Sequence, residues 1–280
     1  MGSSPHSVPE PEILPPGGGY APPPQEYRKP RPRWAIAPAT YLLLGINCAV
    51  FLAMALKHVS PIDPSPEQLL AWGADNAGKV LLEGQWVRII TAMFVHVGII
   101  HLATNMWCLW NLGLLAEPLM GSAGVLVVYL LTGAAGNLLS TFVNWYTYVR
   151  PGDDYGPVGA GASGAVFGIA GALIVLLKSP RLPVPAFELK KLRRSVIYFA
   201  AINLIIPLTV NYGASALHAG LRIDNWAHIG GVSCGLLFAL PMVPRLGSPR
   251  SDFRMRLGIA TAMVVAILVL FGFYLAKVAA

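Results

Sequence analysis

Seven apolar runs, each long enough or nearly long enough to cross a lipid bilayer, constrain this chain more than any other feature. A transmembrane helix needs about 20 predominantly apolar residues in a row. The runs cover residues 36–56, 97–116, 123–143, 163–177, 196–211, 226–243 and 257–278. Only 12% of the residues are charged, roughly half the fraction found in soluble domains. The sequence therefore predicts an all-α polytopic membrane protein with seven spans.

The positive charges predict the orientation of these spans, because Lys and Arg concentrate in cytoplasmic loops. With the N-terminus inside, 14 of the 20 basic residues lie on the inner side, and they are Arg28, Lys29, Arg31, Arg33, Lys178, Arg181, Lys190, Lys191, Arg193, Arg194, Arg245, Arg250, Arg254 and Arg256. The other side holds Lys57, Lys79, Arg88, Arg150, Arg222 and Lys277. The net charge of +7 is thus distributed as a topology signal, which argues against nucleic-acid binding. Short loops and a high Ala, Gly and Pro content favour a bacterial plasma membrane.

Composition divides the chain into three parts. Residues 1–33 are rich in proline and glycine, which predicts a disordered cytoplasmic tail. Residues 34–244 hold the first six runs, and residues 245–280 hold a cytoplasmic loop and a seventh, C-terminal span. The connector 57–96 is long and contains apolar residues and tryptophans, so we expect it to be folded or embedded in the membrane interface. The three cysteines, Cys48, Cys108 and Cys234, are interpreted as buried apolar residues.

Polar side chains on three of the runs share one predicted depth. From Ser163 to Leu177 the helix rises roughly 22 Å, against a hydrocarbon core of about 30 Å, so Ser163 lies roughly 8 Å below the outer boundary. The same calculation puts His228 about 10 Å below that boundary and His101 at a similar level. Asn105 follows one turn deeper on the face of His101. Because polar groups in a bilayer are costly, this layer predicts a functional site.

The surroundings of Ser163 and His228 favour a cavity in which the two meet. The glycine-rich segment before Ser163 is unlikely to be helical, and such backbone is tolerated at this depth only inside protein or beside a water-filled cavity. Small residues follow on both helices, namely Gly164, Gly168 and Gly171 after the serine and Gly231 and Gly235 after the histidine. Faces of this kind let two helices approach closely. A serine hydroxyl needs a neighbouring base to act as a nucleophile.

These residues resemble the motifs of the rhomboid intramembrane serine proteases. The matching segments are HVGIIHLATN, which contains His96, His101 and Asn105, GASG at 161–164, and AHIGGVSCG at 227–235. They occur in family order on the expected runs, and the resemblance covers the first six spans. Gln85-Trp86-Val87-Arg88 is similar to the family's tryptophan–arginine element. Val87 departs from it, since many members carry a second tryptophan there.

The resemblance implies a rhomboid-like six-helix bundle over 34–244 with an additional C-terminal transmembrane helix. It implies that Ser163 is the nucleophile and His228 the general base. The oxyanion hole would consist of His101, Asn105 and the backbone N–H of Ser163. Phe167 would stack on the ring of His228, where relatives often carry tyrosine. The supporting glycines would be Gly161, Gly164, Gly231 and Gly235.

The implied activity is that of a serine endopeptidase. It would cleave transmembrane or membrane-proximal segments of membrane proteins through an acyl-enzyme, without a metal or a cofactor. Substrates would enter from the lipid bilayer and partly unwind, with a loop or the fifth span as the gate. The resemblance leaves the oligomeric state open.

Other readings of the same residues remain open at this point. A haem held by His101 and His228 would make the chain a membrane cytochrome, but it leaves Ser163 unexplained. A transporter would also place polar groups within its spans, although no repeat between the two halves is visible. An inactive family relative would not need to retain both Ser163 and His228.

Several further polar residues receive structural interpretations. Asp224 is expected to be solvated in a short outer loop, so a Ser–His dyad is favoured over a triad. His96 lies about 140° from His101 around a helix, which speaks against a shared metal ion and favours a loop-supporting role. Glu117 and Arg88 are expected to end or anchor elements.

Overall fold

The computed structural model describes residues 37–149, 156–179, 182, 184–217, 224–245 and 249–279. In chain order the elements are α1 (Pro38–Leu56), α2 (Pro66–Ala71), β1 (Asp75–Asn76), α3 (Ala77–Leu81), α4 (Arg88–Thr91), a 3-10 turn (Ala92–Phe94), α5 (Ile99–Tyr148), β2 (Val158–Gly159), α6 (Ser163–Leu176), α7 (Ala186–Leu217), α8 (Asn225–Ala239), a second 3-10 turn (Leu240–Arg245) and α9 (Arg250–Ala279). The described chain is helical apart from its loops and two short strands, as predicted. The expected tail, 1–33, lies outside the described residues.

Several of the helices suit a membrane. Among the described residues, Pro38–Leu56, Ile99–Tyr148 and Ser251–Ala279 are long and apolar enough to cross one, and Ser163–Leu176 is a shorter apolar helix. Within α5, Gly121 has a φ of 73° and interrupts the helical dihedrals, so the two parts of α5 correspond to the second and third apolar runs. The count of seven spans stays a prediction.

The core lies around α6, which packs against α5 and α8. Ile169, Leu173 and Leu176 are fully buried, and almost every other side chain of this helix is buried as well. A helix that is apolar on all sides is expected at the centre of a bundle. The polar residue at its N-terminus, Ser163, is therefore held by a rigid element that other helices surround.

Hydrogen bonds to the side chain of Glu117 on α5 hold the N-terminus of α1. Its carboxylate accepts hydrogen bonds from the backbone N–H groups of Ala39 and Thr40, each at 2.8 Å, and from the Thr40 hydroxyl at 2.7 Å. The Ser122 hydroxyl donates a further bond at 2.6 Å. The first N–H groups of a helix have no partner within the helix, and a carboxylate satisfies them here. This arrangement agrees with the expected anchoring role of Glu117.

The connector between α1 and α5 is folded, as expected from its composition. It contains α2, β1, α3 and α4, and β1 pairs with β2 in antiparallel register, with Asp75 opposite Gly159. Arg88 stabilises this segment, since its Nη1 donates to the carbonyls of Leu70 and Ala74, each at 2.8 Å. The strand pair joins the connector to the chain that leads into α6.

The C-terminal helix α9 packs on this connector and on α5. Leu275 is 1% exposed and belongs to a buried cluster with Val80, Ile89, Ala134 and Leu138. Most large apolar side chains on the rest of α9 are exposed, which is the pattern expected of a helix that faces lipid on its other sides.

Candidate active site

Ser163 is the first residue of α6, and the loop before it is tied to the connector. Gly161 has a φ of 128°, a conformation that favours glycine. Its N–H donates to the Ala92 carbonyl at 2.9 Å, and the N–H of Ala162 donates to His96 Nε2 at 3.4 Å. The hydrogen bonds of two consecutive backbone N–H groups thus fix the chain directly before Ser163, where α6 begins.

His96 supports this loop in its neutral form. Because Nε2 accepts a bond from Ala162, the ring proton lies on Nδ1, which donates to the Phe94 carbonyl at 3.3 Å. The ring is fully buried. Burial, and then the nearby His101, lower the pKa of His96 to about 3, since desolvation disfavours the imidazolium. This placement matches the loop-supporting role expected from the sequence.

The structure brings Ser163 and His228 into hydrogen-bond contact. Ser163 Oγ lies 2.8 Å from His228 Nε2. The ring of Phe167, one turn after Ser163, stacks on the imidazole with centroids 4.4 Å apart and planes at 17°. His228 is buried, and its Nδ1 has no hydrogen-bond partner among the described residues. A hydroxyl is thus paired with an imidazole whose ring plane is held by an aromatic face.

Glycines allow α6 and α8 to approach closely enough for this contact. A Cβ atom on Gly231 would overlap the carbonyl oxygen of Gly164, and one on Gly235 would overlap that of Gly168. Backbone against backbone is the closest packing that two helices can achieve. The predicted small-residue faces therefore meet each other.

His101 lies beside the same loop. A Cβ atom on Gly161 would stand 3.0 Å from His101 Nε2, so the imidazole packs against the backbone two residues before Ser163. Asn105 is buried one turn further along α5, and its Nδ2 donates to the His101 carbonyl at 2.9 Å. The structure thus brings His101 to the Ser163 loop and places Asn105 on the next turn of the same helix.

The expectation that Asp224 is solvated in an outer loop was wrong. Its carboxylate accepts bonds from the Ala227 N–H at 3.0 Å and from the Ser140 hydroxyl, so it caps the N-terminus of α8 and contacts α5. An aspartate directly before an apolar helix is a cap signal in the sequence, so the capping role of Asp224 was predictable from the sequence. Asp75, which is buried on β1 and bonded to Thr141, was also missed, because no pattern marks a two-residue strand.

The donor set does not favour a metal centre. Within the part of the chain that the structure describes, no group of three or more His, Cys, Asp and Glu side chains is arranged to hold a metal ion. His228 Nε2 already faces Ser163 Oγ. An iron held by His101 and His228 would have to displace this contact.

Comparisons with known proteins agree on one family. A family model described as "Rhomboid domain" matches residues 83–245. The chain is 30% identical over 236 residues to "Rhomboid protease GluP" of Bacillus subtilis (strain 168), which covers 84% of this chain and 40% of that protein. It is 31% identical over 216 residues to "Rhomboid protease AarA" of Providencia stuartii, covering 73% and 72%. It is also 31% identical over 176 residues to "RHOMBOID-like protein 7" of Arabidopsis thaliana, covering 63% and 49%.

Proposed function

The chain belongs to the rhomboid family, and from this premise we propose that it is an intramembrane serine endopeptidase. It cleaves transmembrane or membrane-proximal segments of other membrane proteins. The observation that carries the proposal is the 2.8 Å contact between Ser163 Oγ and His228 Nε2. In line with the charge distribution, the N-terminus faces the cytoplasm of a bacterial cell.

The proposed reaction is acyl transfer through a Ser–His dyad. The Ser163 hydroxyl donates its hydrogen bond to His228 Nε2, so Nδ1 carries the ring proton. As Oγ attacks the scissile carbonyl, Nε2 takes the hydroxyl proton and then delivers it to the leaving amine. A water molecule, deprotonated by the same nitrogen, attacks the acyl-enzyme ester. The ester bond breaks, Nε2 returns the proton to Ser163 Oγ, and the new carboxyl end is released.

The ring of Phe167 supports this role of His228. It covers one face of the imidazole with the planes nearly parallel, which restricts rotation of the ring out of the line between Nε2 and Oγ. The close packing at Gly231 and Gly235 holds α8 at the distance that the proton transfer needs. Such positioning supplies a large part of the acceleration in well-oriented reactions.

The proposed oxyanion hole consists of the Ser163 N–H and the side chains of His101 and Asn105. The N–H of a first helical residue has no partner inside its helix, so it can donate to a developing negative charge. His101 Nε2 lies close to the Gly161 backbone, on the loop that precedes the nucleophile. Donors placed in advance in a site that excludes water stabilise the tetrahedral intermediate by several kcal/mol.

A gap between α5 and α7 suits lateral entry of the substrate. A cavity of about 550 Å³ opens between these helices, and its lining includes Trp107, Asn111, Ser195 and Phe199. The ring of Phe199, in the lining of the cavity, lies 6.2 Å from that of Phe167, which stacks on His228. A transmembrane substrate that unwinds there exposes a peptide bond that its own helical hydrogen bonds would otherwise shield.

The alternatives are less consistent with the same contacts. A membrane cytochrome would need His228 Nε2 for iron, and that nitrogen faces Ser163. A transporter gives no reason for a serine and a histidine at hydrogen-bond distance. An inactive relative is the remaining alternative, and a direct test of reactivity separates it from a protease.

The decisive experiment is labelling of the purified protein with a fluorophosphonate probe, which reacts with activated serines. We expect the wild type to be labelled and Ser163→Ala not to be. Ser233→Ala, an exposed serine on α8, is the matched control and should label like the wild type. Labelling that persists in Ser163→Ala would contradict the proposal that Ser163 is the nucleophile.

Cleavage of a transmembrane reporter in liposomes measures the roles of the other residues. Ser163→Ala and His228→Ala should each reduce the rate by about 10⁴-fold or more. Asn105→Ala should lose one oxyanion donor and slow the reaction by roughly 10²-fold. An absorption band of haem in the purified protein would favour the cytochrome instead.

A further inference from the structure

Two carboxylates that the proposed reaction does not use meet near β2. Asp75 lies on β1 opposite Gly159, and Asp224 directly precedes α8. The position that a Cβ atom of Gly159 would occupy is 3.4 Å from Asp224 Oδ2 and 4.0 Å from Asp75 Oδ2. The two acidic side chains therefore approach the same point from different elements, outside the spanning helices.

Neighbouring hydroxyls on α5 hold each carboxylate in place. Thr141 Oγ1 donates to Asp75 Oδ2 at 3.0 Å, and the adjacent Ser140 hydroxyl donates to Asp224 Oδ2. Asn144 Nδ2 donates in turn to the Ser140 hydroxyl at 3.1 Å. Asp75 is 3% exposed, and its Oδ1 has no hydrogen-bond partner among the described residues. A buried carboxylate oxygen without a partner is costly, and protonation lowers the cost because the group is then neutral.

The charged groups around the pair do not neutralise it by ion pairing. Arg88 is near Asp75, but its guanidinium donates to Gln85 and to the carbonyls of Leu70 and Ala74. On α3, Lys79 forms an ion pair with Glu83. The residues of β2 and of α5 that contact the two aspartates carry no charge. Within the described residues, the environment thus favours one negative charge over two.

Electrostatics agree with this arrangement. The pKa of Asp75 is raised to about 7, chiefly by burial, against the opposing hydrogen bond from Thr141. The nearby carboxylate of Asp224 acts in the raising direction and Arg88 in the lowering direction. A negative charge on Asp224 therefore disfavours a second one on Asp75.

Asp224 connects this pair to the proposed general base. Its Oδ1 accepts the Ala227 N–H at 3.0 Å, and its backbone carbonyl accepts the N–H of His228 at 3.4 Å. The Ala227 carbonyl lies against Gly136 of α5, where a Cβ atom would stand 2.5 Å away. A shift of Asp224 therefore moves the first turn of α8, and this turn carries His228.

We propose that Asp75 keeps its proton while Asp224 is ionised, and that this single negative charge lets β2 stay packed against Asp224 at the start of α8, whose first turn positions His228 against Ser163. The proposal rests on the proposed protease function and assigns both aspartates as positioning residues. When Asp75 loses its proton, two negative charges repel each other near Gly159. The turn then shifts, and the distance between Nε2 and Oγ increases.

The folded chain retains a proton that an unfolded aspartate releases near pH 4, so the stability that the pair contributes is fully present below about pH 4 and is lost as the pH rises to about 7. The kcat should fall about tenfold between pH 6 and pH 8, because a group with a pKa near 7 loses about nine-tenths of its proton over that range. KM should change little, since neither aspartate contacts the proposed substrate cavity.

Asp75→Asn tests the pair, since the amide imitates the protonated carboxyl in shape and charge. We expect the alkaline fall in kcat to move to higher pH and the midpoint of thermal unfolding to lose its decrease between about pH 4 and pH 7. Asp63→Asn, an exposed aspartate of the same connector, is the matched control and should behave like the wild type. An unchanged alkaline limb and unfolding profile in Asp75→Asn would overturn the proposal.

A second pair of variants provides the test if Asp75→Asn does not fold. Asp224→Asn keeps a cap acceptor and removes the charge, so its alkaline limb should move as in Asp75→Asn. Asp224→Ala removes the cap as well, and its kcat should be lower at every pH. The unfolding profile needs no activity, so it tests the proton on Asp75 even if the fluorophosphonate test fails. Failure of labelling would contradict the proposed protease function. An unshifted alkaline limb and unfolding profile in Asp224→Asn would contradict only the role proposed for the two aspartates.

Discussion

At the scale of single residues, the orientation of one imidazole decides what the site can do. His228 is buried, contacts Ser163 Oγ through Nε2 and is covered on one face by Phe167. A hydrogen bond alone leaves the ring free to rotate about its side-chain torsions. The stacked ring removes much of that freedom before any substrate binds, so the aromatic contact is expected to act on kcat.

Replacement of Phe167 by alanine tests this contact. We expect kcat to fall by roughly tenfold to a hundredfold with little change in KM, because the imidazole loses the surface that fixes its plane. Phe167→Tyr retains the stacked ring and should keep most of the wild-type kcat. Steady-state cleavage of a reporter in liposomes measures both variants, and a wild-type kcat in Phe167→Ala would contradict the role assigned to the ring.

At the scale of elements, the contact between α6 and α8 is made by backbone. Gly231 and Gly235 face the carbonyl oxygens of Gly164 and Gly168, and a methyl group at either position would push the helices apart. The separation of the two helices determines the separation of Ser163 and His228, since each side chain projects from its own helix. Helix packing and catalytic geometry therefore depend on the same glycines.

The substitution Gly231→Ala measures that dependence. We expect a loss of stability of about 1–3 kcal/mol from overpacking and a loss of most cleavage activity in the fraction that remains folded. Gly45→Ala is the matched control, because no atom lies within 4 Å of the position of its Cβ. It should instead be neutral or stabilising by about 0.5–1 kcal/mol. Unfolding in mild detergent reports both values, and equal effects of the two substitutions would show that the approach of α6 and α8 is not tight.

At the scale of the whole molecule, α9 braces the connector that supports the active-site loop. Leu275 is buried with Val80 and Ile89 of the connector. Shortly after Ile89, the carbonyl of Ala92 accepts a hydrogen bond from the N–H of Gly161. A C-terminal helix thus contacts the segment that holds the start of α6. Most of its remaining apolar side chains are exposed, as expected of a helix that faces lipid.

Truncation of Leu275 to alanine tests this brace. It should lower stability by about 2–5 kcal/mol, the range for a buried leucine that leaves a cavity. Leu270→Ala, at a leucine of α9 that is 68% exposed, should leave stability nearly unchanged. Thermal unfolding of the full chain compares the two, and equal midpoints would contradict a bracing role of α9.

Local signals in the chain were sufficient to predict the long apolar helices. The hydrophobicity of a run and the rise of a helix depend on neighbouring residues, so α1, the two parts of α5, and α6 correspond closely to the predicted runs. The cap signal of Asp224 was equally local, although its carboxylate was expected in solvent. Motif order placed Ser163 and His228 on adjacent helices before their contact was known.

By itself, the sequence determined that the chain is helical and lies in a membrane. Only the tertiary structure decided which of those residues touch. Ser163 and His228 are 65 positions apart, and the bond from Thr141 to Asp75 spans 66. Contacts between residues so far apart in sequence depend on how closely helices cross and how a connector folds back. The distances between helices arise from packing over the whole fold, so no local pattern in the sequence contains them.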